Sequence, residues 1–214
     1  MKKIVTCLMV MLVFGINSFS HATITNGDFS DGLTGWATQG DVQVVADEAV
    51  LGDNNEWYSL LYQDIALDTG AYTIEFDVSN LLSNVVPDFT FPDTFYASLY
   101  FIDDISAFDL DNGIYDDSLA LFDLDYSGEY IYYDGTVSAS SKGSDWFCFS
   151  MTFQNDYNYV IPAFELFDMN WINNDSLVLL DNVNINPVPE PATILLVGSG
   201  LLGLFGIRKK RFRR

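Results

Sequence analysis

Carboxylates are the functional groups this chain has most of, and two arrangements of them stand out. Asp123, Asp125, Ser127, Gly128 and Asp134 fall on positions 1, 3, 5, 6 and 12 of a calcium-binding loop. The twelfth position is Asp rather than the longer, bidentate Glu, and strand-like patterns flank the loop where helices are required. The spacing is therefore read as a hairpin turn. Asp181 is more telling, because it shares a strand face with Leu177, Leu179, Val183 and Ile185 and so points toward the core. An uncompensated charge there is too costly to keep. It must meet a cation, accept several hydrogen bonds or lie at a sheet edge. Lys142 is the one basic residue between positions 23 and 186, so a metal ion is the expected counter-charge.

Flat rings offer a second chemistry, because an aromatic face stacks on the apolar face of a pyranose. Trp57, Tyr130 and Tyr132 are the candidates for such contacts. Tyr130 and Tyr132 share one strand face and Tyr96 and Tyr100 another, while Trp146 and Trp171 lie near polar residues. At 15% aromatic residues overall, most rings must belong to the core or to cross-strand pairs. Catalysis is poorly served. Between positions 23 and 186 there is no His and no Arg, so neither a Ser-His-Asp nor a Cys-His arrangement can be assembled, nor a typical zinc site. A carboxylate pair of the glycosidase kind is the remaining device. Among so many acids some pair matches any spacing by chance, and the segment is read as non-catalytic.

The elements that must position these groups are strands. Tyr72, Ile74, Phe76 and Val78 interleave with Thr73, Glu75, Asp77 and Ser79; Phe147, Phe149, Met151 and Phe153 interleave with Cys148, Ser150 and Thr152. This period of two predicts half-buried strands there and at 42–46, 57–67, 95–103, 119–124, 129–133, 159–167 and 177–185. Turn signals such as Asp68-Thr69-Gly70 and Asp134-Gly135 fall between them. Eight to ten antiparallel strands over residues 23–186 make an all-β, two-sheet jelly-roll sandwich. Once the ends are set aside, Lys142 stands alone against 29 of the chain's 30 Asp and Glu. Such a field repels nucleic acid and anionic lipid, and leaves neutral glycans and cations as compatible partners.

Both ends are of a different kind. Met1-Lys2-Lys3, the apolar run Ile4–Ile16 and Ser20-His21-Ala22 form a signal peptide over 1–22, cut by signal peptidase after Ala22. Cys7 leaves with it, and Cys148 alone cannot form an internal disulfide. At the far end Pro189-Glu190-Pro191 precedes an uncharged stretch over 192–207 and a basic cluster over 208–214. A 16-residue helix spans roughly 24 Å, and the flanking cations can reach the headgroups, so 192–207 is expected to cross the membrane with its basic end in the cytoplasm. Val188-Pro189-Glu190-Pro191-Ala192, a Gly-interrupted apolar helix and a terminal Arg/Lys cluster resemble the PEP-CTERM sorting signal, also known as the ice-binding protein C-terminal domain. The resemblance covers 187–214 and carries no expectation of ice binding. It implies a Gram-negative bacterium, export across the inner membrane, anchoring by the C-terminal helix, and processing by an exosortase at Pro189, Glu190 and Pro191.

Within the domain, Asn26-Gly27-Asp28-Phe29, Gly35-Trp36, Gly70-Ala71-Tyr72-Thr73-Ile74-Glu75-Phe76 and Leu180-Asp181-Asn182-Val183-Asn184-Ile185 resemble carbohydrate-binding-module and galactose-binding-like jelly rolls. That resemblance implies a structural Ca2+ tying the opening motif to the closing strand, with Asp28 and Asp181 as ligands. The alternative for Asp181 is a carboxylate capping backbone amides. The leading expectation is thus an exported, exosortase-sorted component of the cell surface or exopolysaccharide matrix. A module recognising a neutral polysaccharide through exposed aromatics is the alternative, and a carboxylate-pair glycosidase stands last.

Overall fold

Alternation becomes strand wherever one face of a segment meets the interior and the other meets water. The computed structural model describes residues 23–54, 56–82, 92–125, 128–131, 135–169 and 176–188. The strands are β1 (Ala37–Gln39), β2 (Asp41–Val45), β3 (Glu48–Gly52), β4 (Tyr58–Tyr62), β5 (Ile65–Ala66), β6 (Gly70–Leu81), β7 (Thr94–Ile102), β8 (Asp117–Asp125), β9 (Gly128–Ile131), β10 (Thr136–Ala139), β11 (Trp146–Asn155), β12 (Tyr159–Phe167) and β13 (Leu177–Pro187). One sheet has the order β1-β4-β12-β7-β8-β9, with β5 also on β12; the other runs β10-β11-β6-β13-β3-β2. Most spatial neighbours are not neighbours in sequence, as the jelly-roll expectation requires.

The two inner faces supply the core. Phe76 of β6, Phe149 of β11 and Phe164 of β12 meet at its centre, with Phe76 lying 4.9 Å from Phe149 and 5.2 Å from Phe164 between ring centroids. All three are buried, as are Phe29, Phe95 and Phe122. Burying each such ring contributes on the order of 2–3 kcal/mol.

The expected strands are present with shifted bounds. The segment 57–67 divides into β4 and β5 at Gln63, whose side-chain amide accepts from Thr25 N (2.7 Å) and donates to Thr25 O (3.0 Å). β1, β3 and β10 were not expected. β3 lacks alternation because Ala49, Val50, Leu51 and Gly52 are all buried, and β1 and β10 are short edge strands. The signal peptide and the 192–207 stretch lie outside the described residues. Among the described residues no helix is long and apolar enough to cross a membrane.

The face assigned to Asp181 is corrected. Asn182 adopts φ 53°, and the β13–β6 register shifts between Asp181 and Asn184. Val178 and Leu180 point inward before this bulge, Val183 and Ile185 after it. A bulge inserts one residue and reverses the phase of the faces. Asp181 therefore lies on the outer face of the six-stranded sheet, opposite Asp77.

Candidate functional site

The outer face of that six-stranded sheet answers the question of Asp181's counter-charge. Lys142, in the connection between β10 and β11, reaches back over the sheet. Its ammonium bonds Asp181, sits 2.8 Å from Glu48 and lies 4.5 Å from the centroid of the Trp146 ring. Partial burial lowers the Lys142 pKa, but the bonds to Asp181 and Glu48 outweigh it and the net shift is upward. The other Asp181 oxygen accepts from Asn182 N at 2.7 Å. Asp28 is exposed and accepts from the backbone and hydroxyl of Ser30. What joins the opening motif to β13 is main chain: Val183 N donates to Gly27 O at 2.9 Å, so close that a Cβ on Gly27 would lie 2.0 Å from Val183 O. Asp28 and Asp181 are two separately satisfied carboxylates. No group of three or more ligating side chains is placed to hold a metal ion among the described residues.

The opposite face of the sandwich, the outside of the seven-stranded sheet, is built from rings. Period two sends Tyr58, Leu60 and Tyr62 of β4, Ala163, Glu165 and Phe167 of β12, and Tyr96 and Tyr100 of β7 outward together. The registers Tyr58↔Phe167 and Tyr96↔Glu165 align them across the strands. Phe167 is the hub, 4.8 Å from Tyr58 and 5.8 Å from Tyr96, which stands edge-on to it. Trp57 stacks on Tyr58 at 5.4 Å and 29° and remains 59% exposed. Beyond Tyr96, Asp123 and Asp125 of β8 face the same way, and Asp125 pairs with Gly128 across the β8–β9 hairpin. Pro92, Thr94, Tyr96, Asp123, Asp125, Phe167 and Met169 enclose a groove of about 450 Å³.

Under this floor lies one buried acid. Glu165 accepts from the Tyr58 hydroxyl at 2.8 Å and the Tyr100 hydroxyl at 3.2 Å. Burial pushes its carboxyl up and the two hydroxyl bonds pull it partly back, leaving a net rise. Burial, then the charge of Glu165, pushes both tyrosines far above their ordinary range, so they remain donors. The far half of the face is covered by residues 103–116. A 3-10 turn at Ile105–Ala107, capped by Asp104, brings Phe108 to 5.9 Å from Tyr62 and packs Leu110 against Tyr58, Leu60 and Ala163. What stays open is the end bearing Trp57, Phe167 and Tyr96.

Of the ring candidates, Trp57 does not line the groove but lies 6.4 Å from the ring of Phe167, which does. Tyr130, on β9, pairs with Asp123 of β8. Tyr132 lies outside the described residues, as do Ser127, Asp134, Trp171, Ala22, Pro189, Glu190 and Pro191. Tyr58, Phe167, Met169 and Glu165 were not foreseen. Glu165 did leave a signal, as the lone charge in the run Tyr159–Phe167.

The family model of the PEP-CTERM protein-sorting motif matches residues 187–211. The chain carries a PEP-CTERM sorting motif. That motif implies export and membrane-anchored sorting to the cell surface. It begins where the fold ends: Pro187 is the last residue of β13, and Val188 N still donates to Ala71 O at 2.9 Å. Solved structures similar to the domain include TmCBM61 in complex with β-1,4-galactotriose (13% identity, 79% of this chain and 100% of that one, TM-score 0.46). A CBM4 module (15%, 77% and 99%, 0.45) and lectin I-B4 from Griffonia simplicifolia in metal-free form (12%, 78% and 99%, 0.46) are others. No curated protein matches the chain.

Proposed function

We propose that this is an exported, exosortase-sorted protein of the cell surface or exopolysaccharide matrix whose sandwich binds a neutral glycan without transforming it. The observation that carries the proposal is the set of partly open rings delivered by neighbouring strands: Trp57, Phe167, and Tyr96, which is 37% exposed. Ring faces match the apolar faces of pyranoses, and Asp123 and Asp125 on the groove wall supply acceptor oxygens for sugar hydroxyls. A field of 29 acids against one Lys between residues 23 and 186 disfavours anionic polysaccharide. A face of packed aliphatics would instead have favoured the purely structural matrix role expected first.

A glycan array read with the purified domain tests this. Saturable binding to a neutral glycan is expected. Trp57→Ala and Tyr96→Ala should each weaken it about tenfold, the worth of one aromatic contact at roughly 1–1.5 kcal/mol. Unchanged unfolding curves would show that only the surface was altered. Absence of saturable binding, or affinity indifferent to losing both rings, overturns the reading. Arrays run with and without calcium also test the expected structural Ca2+.

A further inference from the structure

The groove and the exit toward the sorting motif lie at opposite ends of the sandwich. β13 starts at Leu177, paired with Leu81 and Gly52, and ends at Pro187, paired with Tyr72. Ser176, just before it, donates to Asp53 and to Asp93, and Asp93 also accepts from Met169 N on the groove wall. The Leu177 end of one sheet therefore coincides with the Phe167 end of the other. The Pro187 end is closed differently. Asn155, buried at the end of β11, donates to the carbonyls of Leu67, Asp68 and Tyr157, and Asn158 bonds Asp103. An eleven-residue strand rising ~3.3 Å per residue separates the two ends by roughly 35 Å. From Val188, the last described residue and still bonded to Ala71, to Ala192, where the apolar stretch starts, the chain reaches at most about 14 Å.

We propose that, while the tail holds the protein in the membrane, the Pro187 end of the sandwich faces the bilayer and the ring-lined groove faces away from it. The orientation follows from a tether less than half as long as the domain, leaving the end that carries Trp57 and Phe167 free to meet a glycan in the surrounding layer. It rests on the membrane-anchored sorting reading above, and not on glycan binding.

Thiol accessibility tests it in the full chain, expressed in an exosortase-lacking host and presented on spheroplasts. With Cys148→Ser as background, Leu81→Cys marks the groove end and Asp156→Cys the Pro187 end; both positions are exposed. A bulky polyethylene-glycol maleimide should modify Leu81→Cys on spheroplasts as fast as in detergent, and Asp156→Cys several-fold more slowly until detergent is added. Equal rates at both sites in membrane-held protein, or the reverse order, overturn the orientation alone. Recovery of the chain in the soluble fraction overturns the anchoring, and the orientation with it.

Discussion

Glu165 is 8% exposed and held by two tyrosine hydroxyls, one from β4 and one from β7 on the same face. Its folded pKa is raised, chiefly by burial. A carboxyl so shifted contributes stability below the ordinary value of about 4.3 and loses it as pH rises through the folded value. Glu165→Gln retains an acceptor oxygen for one tyrosine hydroxyl, turns an amide donor toward the oxygen of the other, and removes the buried charge. It should raise stability at pH 7, a gain that shrinks toward pH 4 and is read from urea midpoints at the two values. Residue-level chemistry was only half legible in the sequence. The oddity of a carboxylate at Asp181 was visible, but its partner Lys142 is 39 positions away. Likewise Tyr58 and Glu165 are 107 positions apart, and only register brings them together.

Strands followed from alternation wherever one face is wet, as in β6, β7 and β11. β3 escaped notice because a strand covered on both sides has no period to read. The phase of β13 was misread for a related reason: its alternation breaks at a single residue, and nothing local marks which one. Asn182 takes that place because Asn tolerates φ 53°, and its amide secures the bulge by donating to Asp77 at 2.8 Å. Asn182→Gly meets the backbone demand and loses only that bond, whereas Asn182→Val forces a β-branched residue into the left-handed region. The valine variant should be less stable than the glycine variant by about 1–2 kcal/mol in chemical denaturation. Equal losses would show that the hydrogen bond, rather than the backbone, holds the bulge.

At the scale of the whole molecule, address and fold class were written in patterns that need no partner: a basic cluster after an apolar stretch, and rows of alternating residues. The groove could not be read this way, because its walls come from β7, β8, β12 and the residues flanking them, and their convergence is a property of strand order. The same strand order decides how the protein bears load. On the proposed function, a glycan gripped near Trp57 and an anchor attached beyond Val188 would pull β13 lengthwise between β6 and β3, so the ladder with β6 from Leu177 to Pro187 would be strained in shear and many bonds would have to fail at once. Handles at residues 57 and 188 in a single-molecule pulling experiment should therefore demand a higher rupture force than handles at residues 71 and 188, which peel the same strand away one bond at a time. A matrix protein strung between cell and polymer would in that way resist tearing along the direction in which it is tugged.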